Sequence, residues 1–111
     1  MLGKFVIERA KDEHFYFNLK AVNGQVILTS EMYTAKASAQ NGIESIQKNS
    51  AADANYERKE SKDNRPYFVL KAQNQQIIGQ SQMYSSTSAM ETGIASVKHN
   101  GPSTTVEDLT L

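Results

Sequence analysis

The chain has 111 residues, and its 12 lysines and arginines balance 12 aspartates and glutamates, so no long-range field exists to gather nucleic acid or an anionic membrane. The absence of cysteine excludes disulfides and thiolate metal sites and fits a reducing compartment. No apolar run has the length of a signal peptide or a membrane span, so a cytoplasmic protein is expected.

Lys4 to Arg9 alternates, with Phe5 and Ile7 on one side and Lys4, Val6 and Glu8 on the other, the period of a half-buried strand. The polar loop Ala10-Lys11-Asp12-Glu13 follows, and its aspartate suits a turn by bonding its own backbone. Phe15 to Ala21 is a second strand, with Phe15, Phe17, Leu19 and Ala21 inward and Tyr16, Asn18 and Lys20 outward. Asn23-Gly24 then predicts a two-residue type I′ hairpin, which sets Ala21 opposite Val26 and Leu19 opposite Leu28 and pushes Val22 and Ile27 outward. Beyond Tyr33 the period lengthens. Ala39, Ile43 and Ile46 form one face of a helix, with Thr34 to cap its start, Lys48 near its negative end and Asn49 to close it in a left-handed conformation. Gly42 in mid-helix implies close approach of the backbone to a neighbour.

All of this then happens again. LKAVNGQVILTSEMY, Leu19 to Tyr33, returns as LKAQNQQIIGQSQMY, Leu70 to Tyr84, a shift of 51 positions that also aligns Phe5 with Tyr56 and Gly42 with Gly93. In the second copy Asn55 to Lys59 is the weaker edge, with Arg58 at the position of Ile7. Ser61 to Asn64 is the loop, with Asp63 as its turn residue; a general acid or base would need a histidine or second carboxylate that recurs beside both Asp12 and Asp63, and none does. Phe68, Leu70 and Ala72 face in and Tyr67, Val69 and Lys71 face out. Asn74-Gln75 makes a looser hairpin, because glutamine stands where glycine fits best, and Ile78 is pushed outward while Gly79 faces Leu70. Met90, Ile94 and Val97 mark the second helix, capped by Ser85, Ser86 or Ser88, with Ser88 and Glu91 spaced as a capping box and Asn100-Gly101 at its end. Val106, Leu109 and Leu111 have the spacing of docking residues, and a frayed tail fits them equally.

A unit of about 50 residues is marginal alone, so residues 1–111 read as one domain of two repeats, 3–50 and 54–101, sharing one sheet and one core, with a tail at 102–111. With each unit read as strand, strand, strand, helix, the fold class is α+β. Gly3-Lys4-Phe5, Phe17-x-Leu19-Lys20-Ala21-x-Asn23-Gly24, Ser30-x-x-Tyr33 and Asn41-Gly42-Ile43-x-Ser45 make the chain resemble the YegP-like proteins of bacteria, an uncharacterised family built from the DUF1508 domain and also labelled UPF0339. The resemblance covers nearly the whole chain, with departures at Gln75, Gly79 and Thr92. It implies a single six-stranded antiparallel sheet with both helices on one face, exchanged so that each packs over the other unit's strands. It implies no activity, cofactor or catalytic residue.

The residues themselves point away from catalysis. His14 and His99 align with Arg65 and Lys48 instead of with each other, and neither has metal-ligand spacing, so no catalytic, cofactor or metal site is expected. What remains is the face that the helices leave open. Tyr16, Lys20, Ile27, Tyr67, Lys71 and Ile78 form the candidate interaction face, for a protein partner or a second copy of the chain. The alternative is single-stranded nucleic acid on the same face, with Tyr16 and Tyr67 stacking on bases and Lys20, Lys71 and Arg65 meeting phosphates.

Overall fold

The computed structural model describes residues 2–111. The alternating stretches are strands β1 Lys4–Arg9, β2 Phe15–Lys20 and β3 Val26–Thr29, followed by helix α1 Lys36–Asn49. The second copy supplies β4 Tyr56–Glu60, β5 Pro66–Lys71, β6 Ile77–Gln80 and helix α2 Thr87–Asn100, whose two ends each lie 51 positions beyond those of α1. These strands pair antiparallel in the order β4-β5-β6-β3-β2-β1. The sheet has a seventh member. Val106–Asp108 forms β7, which adds to the outer edge of β1 in parallel, so the sheet is mixed and not the six-stranded antiparallel one expected.

β3 and β6 meet at a single pair, Thr29 and Gln80, which are themselves repeat equivalents. A pseudo-two-fold axis therefore runs through the middle of the sheet. Two equivalent side chains cannot both occupy the axis, and the halves diverge there. Leu28 is buried where its equivalent is Gly79, and a Cβ on Gly79 would come within 2.6 Å of Leu28 Cδ2. Ser50 is buried at the end of α1, and a Cβ on its equivalent Gly101 would collide with the Ser50 side chain. Both helices cover the face of Phe5, Phe17, Leu19, Phe68 and Leu70. Each packs over the other unit's strands, as the resemblance implies, and over its own as well: α1 touches β5 and β6 of the other repeat together with β2 of its own, and α2 touches β2 and β3 together with β5.

Mid-helix glycine is explained by an aromatic stack. Tyr33 lies nearly parallel to Phe17, centroids 6.4 Å apart, and a Cβ on Gly42 would stand 2.6 Å from its hydroxyl. Tyr84, Phe68 and Gly93 repeat the arrangement more tightly. The helix ends agree with expectation at one point, the Ser86 cap, and differ at the others. Ser86 caps α2, its hydroxyl accepting from Ala89 N at 3.1 Å, while Ser88 lies inside the helix and Glu91 turns to Arg58. Ala35, not Thr34, occupies the cap position of α1 and offers no side-chain acceptor. Ser50 and Gly101 stay right-handed, so neither helix closes with a left-handed residue. Asn49 and Asn100 instead fold back to donate to Ser45 O and Ser96 O, each at 2.8 Å, and Asn100 Oδ1 accepts from Gly3 N at 2.7 Å.

All four hairpins use one loop. Ala10, Ala21, Ser61 and Ala72 each accept from the residue three on and donate to the carbonyl four on, and the third loop residue, Glu13, Gly24, Asn64 or Gln75, has positive φ. This is a three-residue loop with a left-handed last residue, not the two-residue type I′ turn expected at Asn23-Gly24. Asn23 keeps negative φ and its Oδ1 accepts from Gln25 N, as Asn74 Oδ1 does from Gln76 N, both at 3.0 Å. Asp12 Oδ1 likewise accepts from His14 N at 3.2 Å.

Candidate functional site

The loop geometry decides which side chains reach the helix-free face. Because Ala21 pairs with Gln25, Lys20 meets Val26, yet Leu19 still meets Leu28, and one extra residue is accommodated as a β-bulge. In a bulge two residues oppose one, so Ile27 joins Leu28 on the side of Leu19. The second copy does the same: Lys71 meets Ile77, Leu70 meets Gly79, and Ile78 turns inward. Ile27 and Ile78, expected on the open face, are therefore core residues, each only 7 % exposed. Val26 and Ile77 take their place outside, each 37 % exposed.

The other four expected residues do lie on this face by register, all half-buried. Tyr16 stands across from Glu8, and burial, helped by that carboxylate, raises its phenol pKa. Tyr67 stands across from Lys59, and the pseudo-two-fold puts the two tyrosines at opposite corners. Lys20 stands across from Lys4. Lys71 is ion-paired to Glu57, whose carboxyl it holds below the usual range, and Lys59 lies 3.6 Å from the same carboxylate. Asn18 links the strands, donating to Glu8 Oε2 at 3.3 Å and accepting from Thr29 Oγ1 at 2.8 Å. Val6 and Val69 lie beneath these side chains, 1 % exposed and outside the main core cluster. The surface is thus a polar layer over two buried valines, more evenly charged than the alternation implied. Because β3 and β6 share one pair only, they diverge, leaving a groove of about 290 Å³ lined by Val26, Thr29, Glu31, Gln80 and Gln82.

Two charged clusters were not foreseen. Arg58 bridges Glu91 at 2.7 Å and Asp53 at 3.0 Å, and Lys98 reaches Asp53 at 2.8 Å. Hydrogen bonds from Arg58, then Lys98, hold the Asp53 carboxyl at about 2. On the opposite edge Lys4 meets Glu107 at 2.7 Å and Lys36 meets Asp108 at 2.8 Å, and Lys36, then Thr110, holds Asp108 at about 2. Only the placement of Arg58 at the position of Ile7 signalled the first cluster; apart from Arg58 and Asp53, five positions apart, the partners are separated by 33 to 103 positions and leave no local pattern. His14 stands apart from both clusters. His14 Nδ1 lies 3.0 Å from Asp12 Oδ2 in a turn, and Ser86 is occupied as a helix cap.

The family described as Domain of unknown function (DUF1508) matches twice, over residues 10–57 and 61–108. The chain belongs to this family. It is 56 % identical to the UPF0339 protein YegP of Yersinia pestis over 99 % of this chain and 98 % of that one. Two solution NMR structures resemble it with a TM-score of 0.93: a UPF0339 protein of Shewanella oneidensis, 54 % identical over 98 % of this chain and 92 % of that one, and yegP of Escherichia coli, described as a protein of unknown function, 52 % identical over 98 % and 94 %. The matched segments are out of phase with the repeats read from the residue pattern. Each DUF1508 match begins after the first strand of its copy and takes in strand, strand, helix, strand, ending in β4 and in β7. A period has no starting point of its own: β1 stands outside the matched segments, and β7, in the stretch 102–111, lies at the end of the second.

Proposed function

We propose that the protein is a non-enzymatic interaction module of the cytoplasm and that its contact surface is the helix-free face of the sheet. The observation that carries this reading is the central groove, lined in part by the exposed Val26, on a face that also carries the exposed Ile77 and has Tyr16 and Tyr67 at opposite corners. Half-buried tyrosines lose little conformational freedom on contact and offer both apolar area and a hydroxyl. Protein is favoured over single-stranded nucleic acid because Lys71 and Lys59 already face Glu57, and Lys4 faces Glu107. Phosphates would have to displace these carboxylates.

The test is self-association and partner capture by Tyr16→Ser/Tyr67→Ser, with light scattering over a concentration series and amide shifts as the map. The double variant should lose association while its stability changes by no more than about 1 kcal/mol. Shifts confined to the helical side would overturn the assignment. Anisotropy of a labelled oligothymidylate, repeated at rising salt, checks the nucleic-acid alternative, since tight binding with a steep salt dependence would favour it.

A further inference from the structure

The position of β7 follows from topology. The strand leaving α1 runs to the slot beside β5, and the two-fold equivalent of that slot, beside β2, is already filled by β1. The strand leaving α2 therefore arrives with the direction of β1 and adds outside it, in parallel. Glu107 stands at the repeat position of Phe5 and Tyr56, and a carboxylate there cannot enter the core in place of Phe5.

What holds β7 is main chain and charge. Phe5 N donates to Thr105 O and Leu109 N donates to Ile7 O, both at 3.0 Å, and Ser103 Oγ donates to Gly3 O at 2.6 Å. Strand alternation sends Glu107 to Lys4 on the helix-free side and Asp108 to Lys36 at the start of α1. Apolar adhesion is slight, since Val106 is 45 % and Leu109 56 % exposed. A three-residue strand held in this way is among the shortest that pair at all.

We propose that the outer edge of β1 is a strand-acceptor site for an extended segment carrying two adjacent carboxylates, and that the chain's own β7 is its resident, displaceable occupant. Addition of a strand to a sheet edge draws affinity from the main chain and selectivity from alternate side chains. Here the first carboxylate is read by Lys4 and the next by Lys36. The resident strand lowers the apparent affinity for any competitor in proportion to the time it covers the edge. This site is the edge of β1 and shares Lys4 with the helix-free face, and the map of amide shifts tells the two apart: shifts along Lys4–Ile7 belong to the edge, shifts around Tyr16 and Tyr67 to the face.

The probe is a labelled peptide with the chain's own sequence from Ser103 to Leu111, titrated by anisotropy into the full chain and into Glu107→Pro. That substitution removes a carboxylate and a main-chain donor from the resident strand and leaves β1 intact. The released variant should bind the peptide at least about tenfold more tightly than the parent. Amide shifts should map to Lys4–Ile7, and adding Lys36→Glu should remove the binding. Glu107→Lys/Asp108→Lys, which releases β7 by repulsion from Lys4 and Lys36, serves as a second variant and should show the same gain. Equal binding by the parent and both released variants overturns the proposal, as do shifts away from β1 or undiminished binding after Lys36→Glu.

Discussion

At one edge of the sheet β1 carries Phe5, Val6 and Ile7, each no more than 1 % exposed, and β7 covers its outer backbone. At the other edge the equivalent strand β4 carries Tyr56, Glu57 and Arg58, and no strand among the described residues lies outside it. The 3₁₀ turn at Asp53–Asn55 takes up the first donor of β4, with Tyr56 N bonded to Asp53 O. Arg58 then ties the strand to Asp53 and to Glu91 of α2. An internal repeat delivers two equivalent edges, and each is a template for unwanted pairing. One is covered by chain and the other guarded by charge, which shows that divergence between the copies falls where the two-fold cannot serve both.

Exchanging the edge residues should break this comparison most severely. Ile7→Arg places the β4 residue in a site that is 1 % exposed and should cost about 3 kcal/mol or more, whereas Arg58→Ile, at a part-exposed side chain, should cost about 1 kcal/mol or less. Urea denaturation of both variants checks the asymmetry, and comparable losses would mean that the two edges are equivalent after all.

The helix glycines give the next largest effect. Added methyls should overpack by about 1–3 kcal/mol against a helix-propensity gain near 1 kcal/mol, leaving a net loss. Gly93→Ala should lose more than Gly42→Ala because Tyr84 lies closer to Gly93 than Tyr33 does to Gly42. Melting temperatures of the pair decide this, and a rise in both would remove the packing explanation.

Acid should loosen both edges in one window. Asp53 and Asp108 have folded-state values of about 2, below the unfolded value of about 3.9, so their contribution is full above that value and disappears as pH falls toward 2. Amide exchange corrected for intrinsic rates should show Leu109 and Tyr56 losing protection between about pH 4 and pH 2 while Leu19 keeps it. Unchanged protection of Leu109 at pH 2 would mean that main-chain bonding alone retains β7.

The smallest effect distinguishes the central hairpins. Gln75 has φ of 71° where Gly24 has 84°, so Gln75→Gly should stabilise and Gly24→Gln destabilise by about 0.5–1 kcal/mol. Chemical denaturation that finds no opposite signs would show that the loop tolerates any residue.

Much of this architecture was legible because local periodicity reflects neighbours two to four residues apart. Phe5, Ile7, Phe17 and Leu19, with Phe68 and Leu70 in the second copy, face the core as alternation required, and the 3.6-residue period located both helices. Asn23-Gly24 misled because the same dipeptide suits a two-residue and a three-residue loop, with glycine left-handed in either. One residue of loop length became a bulge and carried Ile27 and Ile78 off the face they had been assigned to.

By itself, then, the chain determined its repeat, its elements and its inward-facing set, all of which are encoded between near neighbours. Only the tertiary structure decided which strand closes each edge, since Phe5 meets Val106 and Gly3 meets Asn100 across nearly the whole chain. It also decided which copy keeps its side chain at the two-fold axis, where Leu28 excludes a side chain at 79 and Ser50 excludes one at 101. Such choices depend on surfaces that become neighbours only when both copies share one sheet, and no window of sequence contains them.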